Sequence, residues 1–238
     1  FMKFIIFNWK SYLNFKESTS LAKFLAKMKF DKRFKPIVAP SNISLGHLNK
    51  TFKNLLFSAQ NFDLYGKGGF TSYTSINDIK DQNIKFAIIG HSEVRQYSGE
   101  NDYIVSQKLK IALSSKITPI ICVGEDLLTY KKNKTKSHIK KQLNIIFDKK
   151  LKYDEVLIAY EPLWAIGSGL VPTNDEVLKI ADFIKLFLKD YTFKKLKILY
   201  GGSVNSDNLE MLSKIKNLDG FLVGSASIKK SFINNFKL

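Results

Sequence analysis

Disulfides have no place in this chain: it holds a single cysteine, Cys122, and a lone thiol closes no internal bridge. Nothing in its cysteine usage points to an oxidising compartment. Arginine is almost as scarce, with only Arg33 and Arg95 among 38 basic residues. Long apolar runs are missing too, since none approaches the roughly 18 residues a membrane span requires. The opening Lys3-Phe4-Ile5-Ile6-Phe7-Asn8 is apolar for four residues before Asn8 and Lys10 interrupt it, too short for a secretory core. Phe1 ahead of Met2 reads as a cloning remnant. These absences set the expectation of a cytoplasmic protein with no membrane partner.

What is present suits a globular chain. Hydrophobic residues make up 45% of 238 positions. That length is normal for one α/β barrel of about 250 residues, so residues 1–238 are read as a single domain. The formal net charge of +17 raises the question of a nucleic-acid partner. The charge is nearly all lysine, however, and lysine lacks the planar fork with which arginine reads bases and phosphates. The lysines are also dispersed, with the densest cluster, Lys131 to Lys141, placed as a loop running into the polar face of a helix. A solvated surface is the simpler reading, and no nucleic-acid partner is expected. A positive field would still draw in a small phosphate dianion.

Short β-branched and aromatic runs alternate with amphipathic segments. Strand candidates are Lys3–Asn8, Ile37–Pro40, Leu56–Asn61, Lys85–Gly90, Ile117–Val123, Val156–Glu161, Leu196–Gly201 and Gly220–Val223. Their spacing of roughly 30 residues is that of one βαβ step, which implies a parallel sheet. Eight such steps without a long linker predict an α/β fold of the TIM-barrel type, (β/α)8, a closed eight-stranded parallel barrel ringed by helices. A doubly wound open sheet is the alternative. Capping boxes are expected at Asn14/Glu17 and Thr173/Glu176.

In a barrel, chemistry gathers where the strands end. The first candidate strand ends in Asn8-Trp9-Lys10, a lysine within reach of the barrel mouth. The fourth ends in Gly90-His91-Ser92-Glu93; a helical turn after His91 would aim backbone N–H groups at its ring and hold the imidazole neutral. The sixth ends in Tyr160-Glu161-Pro162, a carboxylate that is either a general base or a buried structural acid. Then comes Leu163-Trp164-Ala165-Ile166-Gly167-Ser168-Gly169, read as a mobile apolar lid with Trp164 and Ile166 at an exposed tip. The seventh and eighth end in Tyr200-Gly201-Gly202-Ser203 and Val223-Gly224-Ser225, glycine-bearing turns into helices that suit an anion.

Together, in order and along the whole length, these motifs resemble triosephosphate isomerases. The resemblance implies interconversion of dihydroxyacetone phosphate and glyceraldehyde 3-phosphate through an enediolate, in glycolysis and gluconeogenesis, with neither cofactor nor metal. It implies Glu161 as the base, His91 as the neutral imidazole that polarises the carbonyl and moves protons between the oxygens, Lys10 as the positive charge beside the substrate carbonyl oxygen and phosphate, and Asn8 as a group that helps hold Lys10 and the enediolate. Glu93, beside Ser92, would orient the neighbourhood of Lys10. Amides of Gly167, Ser203, Gly224 and Ser225 would hold the phosphate. Tyr200 and Ser203 would bond the closed lid, Trp164 would sit at its first hinge, and Cys122 would pack behind the site. It also implies a homodimer, in which Thr71 on the segment Phe62–Thr74 meets the partner's Asn8 and Lys10.

The sequence departs from the family's habit in places. Tyr73 and Val94 stand where an acid and an arginine commonly pair near the interface, so both halves of that ion pair are replaced together. Ser225 replaces a common glycine, while keeping the amide. The second lid hinge reads Leu170-Val171-Pro172, and proline removes backbone freedom there. Pro172→Ala should alter lid kinetics; identical closing rates by tryptophan fluorescence or NMR would count against this. A barrel that binds phosphate or a surface partner without catalysis is the other functional class. Keeping Asn8, Lys10, His91 and Glu161 together argues against it, because binding alone needs no base.

Overall fold

The computed structural model describes residues 2–166 and 170–238. Among the described residues, eight strands carry the framework: β1 (Lys3–Asn8), β2 (Phe34–Ala39), β3 (Ser58–Ala59), β4 (Phe86–Ile89), β5 (Thr118–Val123), β6 (Lys152–Tyr160), β7 (Thr192–Tyr200) and β8 (Gly220–Val223). They pair in parallel in the order β2-β1-β8-β7-β6-β5-β4-β3. A parallel bridge between Val38 and Phe57 joins the two ends, supported by the Val38 N–H donating to the Leu56 carbonyl at 2.8 Å. This closure excludes the doubly wound alternative. Around that seam β3 is shorter than the run Leu56–Asn61 suggests, because Leu56 and Phe57 are used in closing onto β2.

The strands alternate between two apolar compartments, as a period of two requires. Phe4, Ile6, Ile88, Ile120, Leu157 and Leu199 belong to a cluster that fills the barrel. Ile5, Phe7, Val38, Ile89, Ile121 and Ile158 join the larger layer under the helices. The helix Phe15–Lys27 opens on the expected capping box, with Asn14 Oδ1 accepting from the Glu17 N–H at 2.9 Å and Glu17 Oε2 accepting from the Asn14 N–H at 2.8 Å. The helix Asn174–Phe187 does the same with Thr173 and Glu176, and buries Val177, Ile180, Ala181 and Ile184. Among the described residues, no helix is long and apolar enough to cross a membrane.

Candidate active site

The barrel's alternation carries two polar residues inward at the C-terminal rim. Phe4 and Ile6 fill the interior from β1, so the next residue on that face is Asn8; Leu157 and Ala159 do so from β6, and the next is Glu161. Both are buried, and both line a cavity of about 240 Å³ at that rim together with Lys10 and His91. Room for Glu161 is left by two glycines. A Cβ on Gly124 would collide with the Glu161 carbonyl oxygen, and one on Gly201 would lie 2.9 Å from its Cγ.

His91 caps the helix Ser92–Ser98, and its Nδ1 accepts from the Glu93 N–H at 3.3 Å. A nitrogen that accepts carries no proton, which leaves Nε2 as the ring's donor. Nε2 lies 3.2 Å from Glu161 Oε1. The contact is close but not aligned as a hydrogen bond, and Oε1 is buried without a hydrogen-bond partner among the described residues. The other oxygen, Oε2, accepts from the Ser92 N–H at 3.0 Å. Lys10 adopts φ +47°, a left-handed conformation rare for a residue with a Cβ. Its ammonium meets Glu93 Oε1 at 2.6 Å, and its N–H donates to Asn8 Oδ1 at 3.1 Å.

The same cavity is also lined by Ser203, Gly224 and Ser225, and Gly224 stands against the Lys10 side chain. Ser203 also donates its hydroxyl to the Ala165 carbonyl at 2.5 Å. The Tyr200 hydroxyl is buried without a partner among the described residues, and burial pushes its pKa up. Gly167, and with it Ser168 and Gly169, lies outside the described residues. Cys122 points into the barrel core, where burial first and the Glu161 carboxylate second push its thiol far above the ordinary range, as packing rather than nucleophilic chemistry demands. Thr71 is exposed on the segment after β3 and does not line the cavity.

Trp164 corrects an expectation. It is buried, not at an exposed tip: its ring stacks on Tyr130 at 4.0 Å, and its Nε1 donates to Glu125 Oε1 at 2.9 Å. The same oxygen accepts from the Tyr160 hydroxyl at 3.1 Å and from Thr135 Oγ1 at 3.2 Å. Burial raises the Glu125 pKa above its ordinary value. A raised carboxylate contributes stability that is fully present below its unfolded pKa and is lost as pH rises through the folded one. An amide would accept the same bonds without a charge to desolvate. Glu125→Gln should therefore melt at or above the parent's temperature at about pH 8, with the gap narrowing toward about pH 4; a gap that widens on acidification would contradict this.

Three polar residues that the motifs do not assign also shape the rim. Arg95 braces the turn, donating to the Gly90 carbonyl at 2.7 Å and to the Cys122 carbonyl at 3.1 Å while pairing with Asp102 at 2.8 Å. Gln60 and Glu125 are the others. Gln60 directly follows β3 and Glu125 stands two residues past β5, but no motif around either assigns it a role.

A closed parallel barrel with a carboxylate, an imidazole and an ammonium gathered at its C-terminal rim defines the class, a (β/α)8-barrel protein with a rim site. Comparison with known proteins narrows it. The family model for triosephosphate isomerase matches residues 3–237. The triosephosphate isomerase of Buchnera aphidicola subsp. Baizongia pistaciae is 37% identical over 241 residues, covering 97% of this chain and 96% of the relative. That of Mycoplasmopsis pulmonis is 39% identical over 94% of this chain and 92% of its own length, and that of Endomicrobium trichonymphae 40% over 93% and 92%. The chain belongs to the triosephosphate isomerase family.

Proposed function

We propose that this chain interconverts dihydroxyacetone phosphate and D-glyceraldehyde 3-phosphate by moving a proton between adjacent carbons. One observation carries the reading: Glu161 Oε1 and His91 Nε2 lie 3.2 Å apart on the wall of a cavity that also holds Lys10. In the proposed scheme the Glu161 carboxylate takes a proton from C1 of the ketose. The electron pair forms the C1–C2 double bond, and the C2 oxygen becomes an oxyanion. The His91 Nε2–H gives that oxygen a proton, and the ring nitrogen then takes one from the C1 hydroxyl. Glu161 returns its proton to C2, leaving the aldehyde at C1. Atoms and charge balance with no external oxidant or reductant.

Each neighbour has a role in this scheme. Lys10, supported by Asn8, places positive charge between the developing oxyanion and the phosphate. Amides of Ser203, Gly224 and Ser225 take the phosphate. Tyr200 and Ser203 fasten the closed lid, and closure keeps water from the enediolate. Triosephosphate isomerases are themselves the familiar illustration of an uncharged catalytic imidazole and of lid closure.

We also propose a cytoplasmic homodimer. An exposed aromatic group on the segment after β3 supports pairing: Tyr65 stacks on Phe70 at 4.5 Å, and Tyr73 meets both edge-on. Light scattering should give the mass of two chains; the mass of one would contradict it. The activity is tested by a coupled assay on glyceraldehyde 3-phosphate without added cofactor or metal. Absence of conversion would overturn the assignment.

A further inference from the structure

Gln60 follows β3 directly and is half-buried. Its Nε2 donates to two carbonyls, that of Lys10 at 2.8 Å and that of Ala39 at 2.9 Å. A carboxamide nitrogen carries two protons, so one nitrogen serves both acceptors. Only that end of the amide suits two carbonyl oxygens, which fixes the side chain's orientation. Ala39 is the last residue of β2, and Lys10 lies two residues past β1. One side chain therefore ties three adjacent strand ends together.

Its effect falls on a residue whose backbone needs support. Lys10 sits at φ +47°, and such a conformation persists only where its surroundings hold it. Asn8 takes the N–H of Lys10 and Gln60 takes the C=O, so the residue is gripped at both ends. From this backbone the lysine side chain crosses the mouth of the cavity. Its Cε would lie 3.3 Å from a Cβ placed on Gly224, and its Nζ reaches Glu93. A return to an ordinary φ would re-aim the Cα–Cβ bond and carry the ammonium off that line.

We propose that Gln60 is a positioning residue for Lys10: its amide locks the left-handed backbone that aims the ammonium across the cavity. The inference rests on the reading of this cavity as a triose phosphate site. The competing explanation is a simple tie between strand ends, which would support the fold without acting through Lys10.

A double-mutant cycle separates the two. Gln60→Ala should weaken binding of 2-phosphoglycolate about tenfold, and lower kcat/KM by a similar factor, because small misplacements of a charged group are costly. In a Lys10→Ala background the same change should cost less than about twofold, since the group it aims is gone. Equal losses in both backgrounds, or none in either, would overturn the proposal. Gln60→Glu gives a second test. A carboxylate has no proton to offer two carbonyls, whereas its acid form has one. Activity of Gln60→Glu relative to the parent should therefore rise as pH falls; a flat ratio would overturn the proposal even if Gln60→Ala failed to fold. A parent chain that neither binds 2-phosphoglycolate nor turns over glyceraldehyde 3-phosphate would refute the functional reading instead, before Gln60 is altered.

Discussion

Replacing Glu161 by glutamine should lower kcat by about 10³-fold, within the 10²–10⁴ a positioned general base supplies, while KM moves by only a few-fold. The amide is nearly isosteric and its oxygen can still accept from the Ser92 N–H, so the buried contact made by Oε2 survives. The ability to take a carbon-bound proton does not. Glu161→Asp is the milder companion. It withdraws the carboxylate by about 1 Å from the position that Gly124 and Gly201 leave open, and such a displacement costs on the order of 10²-fold. Melting temperatures close to the parent's would separate chemistry from folding. Wild-type turnover in either variant would remove Glu161 from the reaction.

Replacing Lys10 by alanine should weaken 2-phosphoglycolate binding by about 10²-fold and reduce kcat/KM by at least as much, the scale of losing a charge-assisted contact in a confined site. Part of this loss has a second origin. Lys10 neutralises Glu93 across 2.6 Å, so its removal leaves an unpaired carboxylate beside a cavity meant for a dianion. Adding Glu93→Gln to Lys10→Ala should therefore restore a fraction of the inhibitor affinity. Unchanged affinity in the single variant would take Lys10 out of the site, and no recovery in the double variant would show that Glu93 repels nothing.

The parts of the site legible in the sequence were those set by strand periodicity. Asn8 follows Ile6, and Glu161 follows Ala159, by the two residues that keep a side chain on one face, so their inward aim could be counted off. His91 was legible for a different reason: it stands two residues past a fully buried strand, at the N-cap of the helix that follows. Both capping boxes were local patterns and formed as local patterns do.

What could not be read depended on contacts between distant segments. Trp164 looked like a lid tip because its neighbours have neither helical nor strand period. Its burial is decided by Tyr130 and Glu125, contributed by the loop and helix after β5. Gln60 carries no motif, and its acceptors are backbone carbonyls at the ends of two other strands. Backbone acceptors have no residue identity, so no spacing rule points to them. The short pairing of β3 was hidden likewise: barrel closure recruits Phe57 toward β2, and closure belongs to the whole sheet.

In the proposed scheme one carboxylate, that of Glu161, exchanges a carbon-bound proton of the substrate. This exchange is tested most directly by incubating dihydroxyacetone phosphate with the protein in deuterium oxide and following the reaction by proton NMR. Deuterium is expected at the carbon next to the carbonyl, at a rate that falls about 10³-fold in Glu161→Gln. Isomerisation with no deuterium entering at that carbon over repeated turnovers, or exchange equally fast without the glutamate, would contradict it.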